Sequence, residues 1–125
     1  MLIDGYKNTL LEILLNNGSI PAEWPENFEI ALHTAEPDLE GDLNEVAGGN
    51  YVRQPVAFES VGNGRLANSE QVIFEGLPEA TITHVSIADS DTGDIFWYKG
   101  FMYEGVAEVG DMFIINQSAL IVSLD

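Results

Sequence analysis

The run ATITHVSIADSDTGDIFWYKGFM, residues 80–102, decides how this chain is read. Its first ten residues alternate, with Ile82, His84, Ser86 and Ala88 on one side and Thr81, Thr83, Val85 and Ile87 on the other. A period of two marks a β-strand, because successive side chains leave the pleated backbone on opposite faces. Asp91-Thr92-Gly93-Asp94 follows, a cluster of residues that turn a chain tightly. Residues 95–102 then return, rich in apolar and aromatic side chains. The pair predicts an antiparallel hairpin.

The pattern extends through most of the chain. Phe28-Glu29-Ile30-Ala31-Leu32 alternates like a half-buried strand. Residues 51–58, YVRQPVAF, are extended too, but Pro55 has no N–H for a ladder and marks an edge or a bulge. Gln71-Val72-Ile73-Phe74 is a short strand, Glu104-Gly105 and Val109-Gly110-Asp111 punctuate two further strands, and residues 118–124 alternate as a last one. About seven short strands with turns between them predict a mainly β fold, an antiparallel β-sandwich or small barrel.

One helix precedes the strands. Ile3, Tyr6, Leu10, Ile13 and Leu14 share a helical face, Asp4 is placed to cap the start, and Asn16-Asn17-Gly18 is a stop. A helix of roughly 12 residues is marginal alone, so it is expected to dock on its own domain. The segment SIPAEWPEN reads as a linker or ordered loop. The expected organisation is one β-sandwich domain over residues 1–125, with the helix in 1–18, the linker in 19–27 and the β-domain in 28–125.

Hydrophobic residues make up 46% of the 125, enough for a real core. There is no cysteine, hence no disulfide framework. The first residues lack a basic segment and are not read as a signal peptide, and no run is long enough to span a membrane. Four Lys and Arg stand against 21 acids, a formal net charge of -17. Such a surface repels nucleic acid and anionic membranes and suits a neutral or basic protein partner. Neither nucleic acid nor membrane is therefore expected as a partner.

The stretch LHTAEPDLEGDLNEVAGG, residues 32–49, is the strongest candidate for chemistry. Glu36, Asp38, Glu40, Asp42 and Glu45 crowd it, and His33 stands just before them. Alternating oxygen side chains suit calcium, but the spacing matches no EF-hand, and clusters arise by composition alone in a chain this acidic. His33 and His84 are two histidines without cysteine, too few for a zinc site unless carboxylates complete it. A packed histidine bonded to a backbone carbonyl or to its neighbour Thr34 or Thr83 is the simpler reading. There is no nucleophile elbow and no phosphate loop, and Gly48-Gly49 reads as a tight turn. No catalytic residue, metal ligand or cofactor is assigned, and the chain is not read as an enzyme.

Three motifs resemble a family of small tailed-bacteriophage virion proteins. The first is Leu32-His33-Thr34-Ala35-Glu36-Pro37, then Gly41, Asn44-Glu45-Val46 and Gly48-Gly49-Asn50-Tyr51-Val52-Arg53-Gln54. The second runs from Thr83 through His84, Asp89 and Gly93 to Asp94, and the third from Gly110-Asp111 to the closing residues 118–125. The sequence departs from the family pattern at Glu36 (usually Asp), at Asp38 and Ser86 (usually Gly) and at Asp94 (often Gly). The resemblance covers nearly the whole chain. It implies a virion structural protein, made in the host cytoplasm and carried on the particle.

The leading expectation is a capsid decoration, or cement, protein that binds the outside of the head and clamps the major capsid protein, as a homo-oligomer. The alternative is a tail or tail-fibre-associated subunit whose partners are tail proteins, with Trp24, Trp97, Tyr98, Phe101 and Tyr103 as candidates for a stacking surface, although alternation of Phe96, Trp97 and Tyr98 between the core and an oligomer interface is the simpler reading. The loop is expected to be a structured excursion that shapes a contact surface. Arg53, the basic residue near it, would stiffen it by pairing with Glu45 or Glu36. The interface candidates are His33, Thr34, Glu36, Asn44, Glu45, Tyr51, Arg53 and Trp97.

Overall fold

The computed structural model describes residues 1–20, 24–37 and 44–123. It is mainly β, with one helix and antiparallel sheets that do not close into a barrel; the arrangement is sandwich-like. The helix α1 spans Asp4–Leu15, and nine strands follow among the described residues: β1 Phe28–His33, β2 Gln54–Val56, β3 Phe58–Gly62, β4 Arg65–Asn68, β5 Val72–Phe74, β6 Ala80–Asp89, β7 Ile95–Ala107, β8 Phe113–Ile115 and β9 Ile121–Val122. Their order is β2-β1-β6-β7 in a four-stranded sheet, β3-β4-β9 in a three-stranded sheet and β5-β8 in a pair.

The hairpin read from residues 80–102 is β6 and β7. Its turn rests on Asp89, which accepts the Asp91 N–H at 2.9 Å through Oδ1 and the Gly93 N–H at 2.8 Å through its carbonyl. Gly93 sits at φ +82, the left-handed region that favours glycine. β7 is longer than its sequence suggests. Glu104-Gly105 does not end it, because Gly105 still pairs with Ile82 on β6. The register slips between Gly100 and Gly105, where four residues of β7 lie opposite Thr83 alone. This bulge is what hid the continuity of the strand.

β1 is not half-buried. From Ile30 to His33 both faces are covered, and the strand lies between β2 and β6, with Ile30 opposite Ile87 and Leu32 opposite Val85. The core runs from these residues to Val72, Phe74 and Ile115 of the β5-β8 pair and to Trp97 of β7. Pro55 falls on β2, an edge of the large sheet, where its missing N–H costs no ladder bond. After Val56 the chain changes sheets: Phe58 begins β3, while the Ala57 carbonyl accepts the Ser69 N–H at 2.9 Å. The closing strand is shorter than expected, only Ile121–Val122, and residues 124 and 125 lie outside the described ones.

The helix has the expected length and stop but a different cap and a thinner contact. Ile3, not Asp4, is the N-cap, and no side chain caps it; Asp4 instead pairs with Lys7 at 3.2 Å. At the other end Asn17 takes φ +54, and the Asn16 and Gly18 N–H groups both reach the Glu12 carbonyl at 3.0 Å. Tyr6 docks the helix, with ring centroids 5.5 Å from Trp24 and 5.4 Å from Phe96. Leu14, placed on the docking face by spacing, is 64% exposed, and Leu11 and Leu15 also face outward. The chain ahead of the helix extends the large sheet: Leu2 bridges Trp97, and the Met1 carbonyl accepts the Tyr98 N–H at 2.9 Å.

Candidate functional site

The excursion after β1 returns beside the strand it left. The Thr34 N–H bonds the Asn44 carbonyl at 2.8 Å and the Val46 N–H bonds the Leu32 carbonyl at 2.9 Å, so residues 44–46 pair against the end of β1. Asn44 holds φ +64, a left-handed conformation that Asn tolerates, and its Nδ2 donates to the Glu36 carbonyl at 3.1 Å. Asp38, Glu40 and Asp42, which suggested calcium, lie outside the described residues. Among the described residues, no three His, Asp or Glu gather to hold a metal.

The return is fastened by one arginine. Arg53 donates to both oxygens of Glu45, from Nε at 3.0 Å and from Nη2 at 2.8 Å, the bidentate geometry in which a guanidinium binds a carboxylate most strongly. Its Nη1 reaches Glu29 on β1 at 3.3 Å and the Gly93 carbonyl in the β6-β7 turn at 2.9 Å. Four chain segments thus meet at one side chain. Tyr51 adds a fifth tie: its hydroxyl donates to Glu45 at 2.6 Å and accepts the Leu32 N–H at 3.0 Å, while its ring stacks on Phe74 at 6.0 Å.

Charge follows this geometry. Burial pushes the Glu45 carboxyl up, but the bonds from Arg53 and Tyr51 and the Arg53 charge outweigh it and hold the group below the usual carboxylate range. The Arg53 guanidinium is held more firmly protonated, first by its bond to Glu45. The Tyr51 hydroxyl is pushed up by burial and by the Glu45 carboxylate it serves. Every member is satisfied, and the ion pair is fixed rather than poised for proton transfer.

Sequence spacing placed Arg53 against Glu45 or Glu36; the structure selects Glu45. Glu36 instead accepts the Tyr98 hydroxyl at 3.0 Å, tying the start of the excursion to β7. Thr34, Glu36 and Asn44 stand exposed on its rim. His33 is fully buried and shares a 2.7 Å hydrogen bond with Ser86, not with Thr34; His84 bonds Thr83 at 2.8 Å, as its neighbour's identity suggested. Trp97 is a core residue at 3% exposure, with its indole N–H on the Ser123 carbonyl at 3.3 Å. The suggested aromatic platform is dispersed: Trp97 and Tyr98 are buried, Trp24 and Phe101 pack on Tyr6 and Phe113, and Tyr103 is exposed.

Two participants went unread. Glu29 was only the polar member of an alternating strand, though an acid on the strand beside a lone arginine was a signal to weigh. Asn68 gave no signal. It is fully buried, donates to the Glu70 and Asn116 carbonyls at 2.8 and 2.9 Å, and accepts the Leu120 N–H at 2.9 Å, clasping β4 to the last turn of the chain.

The turn that delivers Tyr51 and Arg53 needs glycine. Gly49 has φ +55, and a methyl group there would sit 2.6 Å from the Gly76 carbonyl oxygen and 2.9 Å from the Pro78 nitrogen. Asn50 follows, its N–H on the same carbonyl at 2.7 Å. The motif Gly48-Gly49-Asn50-Tyr51-Val52-Arg53 therefore has a mechanical reading: a tight turn against residues 76–78, then two side chains thrown back onto the loop.

Over residues 2–123 the sequence matches the family described as podophage GP4 fiber I protein gp80. That span is nearly the whole chain, and the chain belongs to this family. No curated protein matches the sequence. The family is one of phage virion structural proteins, as the motifs implied, and its description leans towards the fibre rather than the head-decoration reading. Among the described residues no helix is long and apolar enough to cross a membrane.

Proposed function

We propose that this chain is a fibre-associated structural subunit of a podophage-type virion, working by shape and contact and performing no chemical step. The family match across residues 2–123 carries the reading. It supports the tail or tail-fibre alternative over the capsid decoration role that the motifs first suggested. The Arg53 fastening supports a structural role too. A carboxylate engaged on both oxygens by one guanidinium, with a tyrosine hydroxyl added, is a poor general base and a good rivet.

In this reading Glu45, Tyr51 and Arg53 hold the excursion from inside, and the exposed Thr34, Glu36 and Asn44 present it to a neighbouring virion protein. His33 and Trp97 act from within the core. The whole of residues 1–125 serves as one folding unit, with the helix resting on it through Tyr6.

The test is the copy number of the chain in purified virions, by quantitative mass spectrometry against the major capsid and tail proteins, with immunogold labelling to locate it. A count in step with the tail or fibre proteins and label away from the shell are expected. A count near that of the capsid protein, with label over the head, would return the decoration role to first place.

A further inference from the structure

The bulge of β7 and the connection from β7 to β8 have a different surface from the Arg53 site. Met102 and Tyr103, on the β7 bulge, are 89% and 83% exposed; Val106, Val109 and Met112 beyond them are 71%, 83% and 59% exposed. All five lie in the short stretch that leads from β7 into β8, and that stretch is folded back on the sheet: Gly105 lies against the Phe113 ring, Phe101 packs at a tilt on Phe113 at 5.7 Å, and the Gly110 N–H is bonded to the Leu77 carbonyl at 2.8 Å. Met102 also borders a groove of about 570 Å³ that Phe101, Ile114 and Leu120 help to line. Singly exposed apolar residues are ordinary; a contiguous set on one end marks a contact surface.

The rim of this end is mainly acidic, with Lys99 as the one cation that borders the groove. Ala80 pairs with Ala107, and Glu79 and Glu108 are the next residues beyond that pair; Phe74 pairs with Phe113, and Glu75 and Met112 are the next beyond that one. With Glu104 and Asp111, five exposed carboxylates lie within or next to this stretch. The chain has four Lys and Arg in all. Arg53 is spent on Glu45 and Glu29, and Lys7 is paired with Asp4, which leaves Lys99 and Arg65. A second copy meeting this face with the same face would press ten carboxylates together, and any other face of a copy offers too few cations to match five.

We propose that this acid-rimmed apolar end is a docking surface for a different virion protein, one that presents an apolar centre ringed by lysine and arginine. The inference rests on the fibre reading and names the chemistry of the partner. Complementary charge would guide the encounter and the apolar centre would hold it.

Purified virions treated with a carbodiimide test it, since that reagent joins carboxylates to lysines in direct contact, and the joined peptides are read by mass spectrometry. Glu104, Glu108 or Asp111 is expected to be joined to lysines of a different virion polypeptide. Joining only to Lys7 or Lys99 of another copy would overturn the inference, as would an unjoined end on a chain whose other acids are joined. The double variant Glu104→Lys/Glu108→Lys, exposed and folded by its thermal midpoint, should enter virions at least tenfold less. The same charge change at Glu26→Lys/Glu59→Lys should not, and equal incorporation of both variants would also overturn the inference. Absence of the unaltered chain from virions would overturn the fibre reading as well, whereas its presence with an unjoined end removes this inference alone.

Discussion

Residues 44–53 and residues 101–112 both leave the regular sheet, and they settle their side chains in opposite ways. The first segment turns its polar groups inward on one another. Glu45, Tyr51 and Arg53 satisfy each other and Glu29, and the Asn44 amide holds the Glu36 carbonyl. The second turns apolar groups outward, with Met102, Tyr103 and Val109 each more than four-fifths exposed. A network closed on itself contributes stability and shape. An apolar set left in water contributes neither until something covers it. One segment is thus closed on itself and the other is left open to water, and each substitution probes one side of that contrast.

The largest effect is expected at Gly49. Alanine there adds a methyl group 2.6 Å from a backbone oxygen, at φ +55. Neither the backbone of residues 76–78 nor a left-handed alanine relaxes easily, so Gly49→Ala should lose about 3 kcal/mol or more. Urea unfolding of the purified chain measures this. Gly62, also at positive φ but in open space, is the control, and Gly62→Asn should lose no more than about 1 kcal/mol, the backbone strain without the clash.

Arg53→Met comes next. It strips Glu45 and Glu29 of their cation and leaves the Gly93 carbonyl without its donor. Removing one member of a buried pair costs more than the pair contributes, but side chains about a quarter exposed keep some access to water. A loss of about 2 kcal/mol is expected. Arg53→Lys should recover only part of it, since a single ammonium cannot bond both Glu45 oxygens and reach Gly93 as well. Full recovery by lysine would show that charge alone matters and that the bidentate geometry does not.

How much of this was legible follows from range along the chain. The β6-β7 hairpin was readable because its cause is local: alternation, then a turn that Asp89 and Gly93 close within five residues. Arg53 with Glu45 was readable because the two are eight residues apart and the chain has few cations to choose from. What failed was long-range or three-dimensional. Ser86 as the partner of His33 is 53 residues away, set by the β1-β6 register that only the folded sheet fixes. The bulge in β7 broke the period of two just where Glu104-Gly105 imitated a turn. Trp97 was left between core and interface because its strand carries large rings on both sides, and the bond from its indole to the Ser123 carbonyl cannot be seen in a single strand. The exposed stretch was missed for the same reason: residues 75–79 are brought to residues 108–112 only by the pairings of β5 with β8 and β6 with β7.

Acid should open the same fastening by a smaller amount. The folded Glu45 carboxyl titrates below its unfolded value, ordinarily about 4.3. Its contribution is therefore complete above that value and is lost as pH falls through the lower, folded one. Wild type and Glu45→Gln, unfolded in urea across pH 7 to 2, should differ by about 1 kcal/mol at neutral pH, with the gap closing only below the ordinary carboxylate range. Comparing the two proteins removes the background of the many other acids. A gap that stays constant through acid would mean that the Glu45 charge does not contribute and that its hydrogen bonds alone do.

The smallest effect is expected in the connection from β7 to β8, and its smallness is the point. Val109 and Met112 lose little water on folding, being 83% and 59% exposed, so Val109→Ser with Met112→Gln removes almost no buried apolar area. Stability should move by no more than about 0.5 kcal/mol in either direction. Gly110, at φ +89 between them, is untouched, and its N–H keeps the bond to the Leu77 carbonyl that shapes the loop. A loss above 1 kcal/mol would mean that these side chains already pack on their own chain, and the contrast between a closed region and an open one would fail at its open end. A loss near zero would leave the apolar character of that surface with no role in folding, which is what the proposed docking role requires.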